Sequence, residues 1–118
     1  MKSENIIQIK SYQFALDVIK ITQVLKKEAH FEISSQLLRS GTSVGANVEE
    51  AIGAQSRRDF MAKLSISYKE ARETHYWLRL VKDAGFLNED AASVMITKCE
   101  ELLKIIGSIQ KTIRTKEE

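Results

Sequence analysis

The sequence predicts an all-α protein, an antiparallel up-down-up-down four-helix bundle, on three observations. Four segments repeat apolar residues at alternating steps of three and four, the spacing that gathers side chains on one face of a helix. Proline, which fixes φ and removes a backbone N–H, is absent from all 118 residues, as suits long uninterrupted helices. The breaks between segments are short, so successive helices run antiparallel. The helices are expected at about 11–28, 32–54, 57–83 and 89–113, in a single domain spanning 1–118. A chain of this length buries roughly two thirds of its unfolded surface, enough for a true core.

The first helix is expected to begin near Ser11, with Phe14, Val18, Ile21 and Leu25 as its stripe, Ala15 and Ile19 beside it, and an end around Lys27–His30. Ile6, Ile7 and Ile9 precede it, and either extend the helix or lie across a neighbour.

The second segment holds Ser40-Gly41-Thr42-Ser43-Val44-Gly45, a loop on propensity, since each glycine costs about 1 kcal/mol inside a helix. Yet Ile33, Leu37, Gly41, Val44, Val48 and Ala51 keep the helical phase straight through it. A loop has no reason to hold that phase. The reading is one helix, with Gly41 and Gly45 where another backbone approaches closely and a kink near Gly45 as the alternative.

The third helix opens on a Ser56/Asp59 capping box. Phe60, Leu64, Ser67, Ala71, Thr74, Leu78 and Val81 form its seam, and Gly85 stops it. Asn88 then caps the fourth, with Glu89 and Asp90 near its positive end. Ala92, Met95, Cys99, Leu102, Ile106, Ile109 and Ile113 are its seam, and the lysine-rich tail beyond is expected to fray.

Eighteen Lys and Arg against sixteen Asp and Glu give a net +2, too little for a strongly basic nucleic-acid binder. One cysteine allows no internal disulfide, and the N-terminus lacks the apolar run of a signal peptide. A cytoplasmic protein outside the membrane is expected. Catalysis and resident metal are not. The residue three before His75 is Arg72, so the Glu-x-x-His ligand spacing of a di-iron bundle is missing. Cys99 lies on an apolar seam, and Ser40 and Ser43 have no histidine at a useful spacing. Gly41 and Gly45 lack the lysine of a phosphate loop. No catalytic, metal-binding or cofactor-binding residue is assigned, and no cofactor is expected.

Three surface features remain. Gln36, Ser40, Ser43, Asn47 and Glu50 form a polar stripe on the second helix. Solvated faces favour Lys, Glu and Arg, so this stripe is either an unusual wet face or a polar helix–helix contact, within the bundle or between subunits. The third helix carries Ile66, Tyr68, Tyr76, Trp77 and Leu80 off its seam. A helix apolar over so much of its circumference is usually covered on several sides, which points to self-association. Tyr68, Tyr76 and Trp77 therefore join the five polar residues as subunit-interface candidates. Finally, residues 56–83 hold seven basic and four acidic side chains, a local +3 between balanced flanks. Arg57, Arg58, Lys69, Arg72 and Arg79 are the nucleic-acid candidates, an ordinary solvated face being the alternative. Repeated around an oligomer, the strip would make a larger positive surface.

Three stretches carry a family resemblance: Lys10-Ser11-Tyr12-Gln13-Phe14-Ala15; QLLRSGTSVGANVEEA, residues 36–51; and SRRDFMAKLSISYKEARETHYWLRL, residues 56–80. They resemble the four-helix-bundle proteins also called intervening-sequence or S23 proteins, some of which are encoded in insertions within bacterial 23S rRNA genes. Many relatives have proline where Gly45 stands. The resemblance implies a ring-like homopentamer. Relatives encoded beside the reverse transcriptases of diversity-generating retroelements look like accessory subunits that bind the transcriptase and nucleic acid. They also look more basic than this chain. No catalytic residues come with the resemblance. The expected function is thus a non-enzymatic, homo-oligomeric scaffold with RNA or DNA as a candidate ligand of the third helix. The alternative is an adaptor that docks a partner protein without nucleic acid.

Overall fold

The computed structural model describes residues 2–117, with side chains over 5–116. The four apolar seams become four helices, α1 (Lys2–Lys27), α2 (Phe31–Ile52), α3 (Arg57–Asp83) and α4 (Glu89–Glu117). Residues 28–30, 53–56 and 84–88 connect them, too short to do anything but reverse the chain. Each helix packs beside its neighbours in sequence, and α4 returns to α1, so α1 and α3 stand diagonally opposite, as do α2 and α4. The bundle measures 48 × 21 × 19 Å. The result is the all-α four-helix bundle that the seams predict.

The seams meet in one core. Phe14, Val18 and Leu25, Leu37, Val44 and Val48, Leu64, Leu78 and Val81, and Met95, Leu102 and Ile106 are all buried. Each such side chain contributes roughly 1.5–3 kcal/mol by leaving water. Ser67 and Thr74 lie in the α3 seam without penalty because both are bonded: Ser67 Oγ donates to the Val44 carbonyl at 2.7 Å and Thr74 Oγ1 to Ser40 Oγ at 2.9 Å.

α2 runs unbroken through both glycines, and the reason is steric. A β-carbon on Gly41 would stand 2.7 Å from Val18 Cγ1, and one on Gly45 would stand 3.2 Å from the Ser11 carbonyl oxygen. Gly45 lets the backbones of α1 and α2 approach as expected, whereas Gly41 makes room for the Val18 side chain and not for a backbone.

Three helix boundaries differ from expectation. α1 starts at Lys2 rather than near Ser11, because Ile7 and Ser11 continue the Phe14–Val18 stripe into the core at 1% exposure each. α2 closes at Ile52 instead of Ala54, where the Gly53 N–H turns back to the Glu49 carbonyl. α4 continues to Glu117 instead of closing at Ile113: Arg114 Nε and Thr115 Oγ1 donate to the Gln110 and Lys111 carbonyls, and the lengthened α1 lies alongside.

Ser56 and Asn88 cap their helices, Ser56 through its own half of the expected capping box. Ser56 Oγ accepts the Asp59 N–H at 3.0 Å, and Asn88 Oδ1 accepts the Ala91 N–H at 3.1 Å. Gly85 ends α3 at φ 75°, with the Phe86 N–H on the Val81 carbonyl and the Gly85 N–H on Lys82. α1 ends the same way on Ala29, at φ 64°, with His30 and Ala29 bonded back to Leu25 and Lys26. The residues after these turns, His30 and Phe86, stack at 3.7 Å and tie the two loops together at one end of the bundle.

Candidate nucleic-acid and subunit interfaces

Helical phase places Arg58, Ser65, Lys69, Arg72, Tyr76 and Arg79 on one outward stripe of α3, and every one of them is exposed. Arg57 is exposed beside the start of that stripe. From Lys69 to Arg79 the stripe runs about 15 Å at 1.5 Å per residue. The nearby carboxylates are turned elsewhere. Glu70 and Glu73 both pair with Arg39 of α2, and the Trp77 Nε1–H also donates to Glu73, at 2.9 Å. Glu100 meets His75 at 3.1 Å, and Glu50 meets Lys63 at 3.2 Å. Among the described residues Arg58, Lys69, Arg72 and Arg79 make no ion pair, so their charge faces water uncompensated. The Arg79 guanidinium lies 5.8 Å from the centroid of the Tyr76 ring.

The face continues onto α4. Tyr68, Arg72 and His75 of α3 share a groove with Glu100, Leu103 and Lys104 of α4. Lys104 was not legible in the sequence, because residues 84–118 are balanced in charge and only the α3–α4 packing brings it beside Arg72.

The polar stripe of α2 lies along the α2–α3 contact. Ser40 is fully buried there against Thr74 and offers no surface to a second subunit, which corrects its place among the interface candidates. Ser43 Oγ and Asn47 Nδ2 donate to carbonyls of their own helix, at 2.6 and 2.8 Å. Gln36 accepts from Arg39, and Glu50 reaches Lys63 of α3. Ser40 and Glu50 thus make a polar contact with α3 inside the bundle, whereas the bonds of Gln36, Ser43 and Asn47 stay within α2.

The surplus apolar residues of α3 divide. Tyr68 and Trp77 are half-buried against the chain's own core, so much of their surface needs no external cover. Ile66, Tyr76 and Leu80 stay exposed at 42%, 49% and 38%.

The two most exposed large apolar side chains among the described residues are elsewhere, on α1. Ile9 is 69% exposed and Tyr12 66%, and Leu16 and Ile19 follow them at steps of four and three. Leu38 of α2 is also exposed, at 40%. Gln8, Gln13 and Ala15 flank this second seam, with the Glu49 carboxylate of α2 at its edge beside Tyr12, where Gln8 donates to it at 3.0 Å. The signal was in the sequence as a 3,4,3 step out of phase with the core stripe. It was missed because Ile9 fell before the expected helix start, which hid the repeat.

Among the described residues no group of three His, Cys, Asp or Glu side chains is placed to hold a metal ion. Burial, helped by the Glu100 carboxylate, pushes the Cys99 thiol from an ordinary 9.0 up to about 12, and Sγ donates to the Ala71 carbonyl at 3.2 Å. No described helix is long and apolar enough to cross a membrane.

A bundle with a glycine-mediated α1–α2 crossing and a basic α3 face defines a class of small helical-bundle protein built around its surfaces. The model of the 23S rRNA-intervening sequence protein family matches residues 3–108, and the chain belongs to that family. It is also similar to a crystal structure of a protein of unknown function from the S23 ribosomal protein family of Bacteroides thetaiotaomicron. The TM-score is 0.89 at 40% identity, over 92% of this chain and 98% of that one. No curated protein matches.

Proposed function

We propose that this protein is a non-enzymatic, homo-oligomeric scaffold of the cytoplasm, a pentamer by family resemblance, that presents the α3 face to RNA or DNA. The observation that carries the reading is the division of the surface. An exposed apolar seam runs along α1, and an uncompensated basic stripe runs along the diagonally opposite helix, α3. Burying the α1 seam between copies leaves α3 open, and repeating α3 around a ring multiplies its charge. Ile9, Tyr12, Leu16 and Ile19 each expose more than a third of their surface, and contiguous exposed apolar side chains mark interaction sites on soluble proteins.

Fluorescence anisotropy at two salt concentrations tests the ligand. Affinity should fall steeply with salt, with a log–log slope of about −3 to −4 if four phosphates are neutralised. The double variant Arg72→Ala/Arg79→Ala should weaken binding evenly across sequences, because phosphate contacts carry no base code. Absence of binding at low salt would remove the nucleic-acid role.

The apolar character of the α1 seam also supports the adaptor reading, in which a partner protein covers it. That reading predicts a monomer that binds one protein with little dependence on salt.

A further inference from the structure

We infer that the α3–α4 face selects unpaired nucleotides over duplex, with Tyr76 as the platform on which a base stacks. The inference rests on the nucleic-acid reading above and names the form of the ligand. Tyr76 stands in the middle of the basic stripe, four residues after Arg72 and three before Arg79, and half its surface is open to solvent. Its one close aromatic neighbour, Trp77, meets it edge-on, with centroids 5.2 Å apart and planes at 62°. Trp77 itself is half-buried and donates its Nε1–H to Glu73.

A duplex presents phosphates and sugars to a flat protein face and keeps its bases stacked on one another. It would use Lys69, Arg72 and Arg79 and leave the Tyr76 ring with nothing to stack on. A single strand uses both chemistries at once. Its phosphates pair with the arginines on either side of the ring while an unstacked base lies against the aromatic face, the combination that holds single strands elsewhere. Arg79, 5.8 Å from the ring centroid, adds a cation both to the ring and to a bound phosphate. The stripe from Lys69 to Arg79 is about 15 Å long, which suits two or three nucleotides of extended strand. The groove beside Arg72 carries Tyr68, His75 and Lys104 but also the Glu100 carboxylate, so the strand is placed along the α3 stripe.

The test compares a labelled oligothymidylate, which has no structure of its own, an oligouridylate, and a duplex of the same length, all at low salt. The intact protein should bind both single strands at least ten-fold more tightly than the duplex. Tyr76→Ala should lose roughly ten-fold or more in single-strand affinity and change duplex affinity little, while Tyr76→Phe keeps the wild-type preference. Tyr76 is outside the core, and unchanged circular dichroism and assembly mass establish that the variant compares like with like. Equal affinity for single strand and duplex, or a Tyr76→Ala variant as tight as wild type, overturns the inference and leaves a phosphate-only surface. No binding to any of the three at low salt overturns both this inference and the nucleic-acid reading beneath it.

Discussion

Single residues decide how close α1 and α2 stand. At Gly41 a methyl group would gain about 1 kcal/mol in helix propensity, but it would collide with both γ-carbons of Val18, at 2.7 and 2.8 Å. Val18 is fully buried and branched at Cβ, so it cannot swing aside. The clash outweighs the propensity, and Gly41→Ala should destabilise the protein by about 1–3 kcal/mol in urea unfolding. Ala29 reverses the balance. It holds φ 64° at the end of α1, where glycine carries no penalty, so Ala29→Gly should stabilise by about 1 kcal/mol, read as a higher urea midpoint. Cys99 gives a pH prediction. Between 9.0 and about 12 the folded thiol keeps a proton that the unfolded chain has released, so unfolding releases a proton in this window and the Cys99 contribution to stability falls as pH rises. At pH 8 native Cys99 should resist a thiol reagent and react on unfolding; rapid native labelling would contradict its burial. The sequence placed Gly41 at a close approach but could not name Val18 as the atom met. Nor could it see Ala29, since nothing in an alanine's identity announces a positive φ.

At the scale of the element, α3 shows what periodicity can and cannot reach. Its seam from Leu64 to Val81 is buried residue for residue, because a 3,4 repeat carries its own geometry. Its start is set by Ser56, and Ser56→Ala should cost about 1 kcal/mol, measured by thermal or urea unfolding. The outer faces were harder to read. Tyr68 and Trp77 looked surplus because the seam alone was counted as core, whereas neighbouring helices also cover the flanks of a bundle helix. The polar stripe on α2 was readable as a helix contact, yet only the pairing of Ser40 with Thr74 places that contact inside one chain. In α1 the missed apolar seam followed from a boundary error: with the start set at Ser11, Ile9 dropped out, and Tyr12, Leu16 and Ile19 looked like scattered residues.

For the whole molecule, the arrangement matters more than any one patch. The helices that carry the apolar seam and the basic stripe do not touch one another; they stand across the bundle diagonal. That separation lets one side assemble while the other stays exposed. A net charge of +2 in the monomer becomes a repeated array of Lys69, Arg72 and Arg79 once copies are arranged in a ring. The fold was legible because core burial obeys a local repeat. The exposed apolar surface was only half legible, because which apolar residues remain uncovered depends on how all four helices pack. The central claim is that the α1 seam is covered by further copies of this chain, and the measurement that reaches it most directly is molar mass by light scattering at micromolar concentration. The wild type should elute as a multiple of 13.4 kDa, five-fold for the ring, and Leu16→Glu should reduce it to the monomer with its helix content unchanged. A wild-type mass of one chain, or a Leu16→Glu variant that stays assembled, would contradict it.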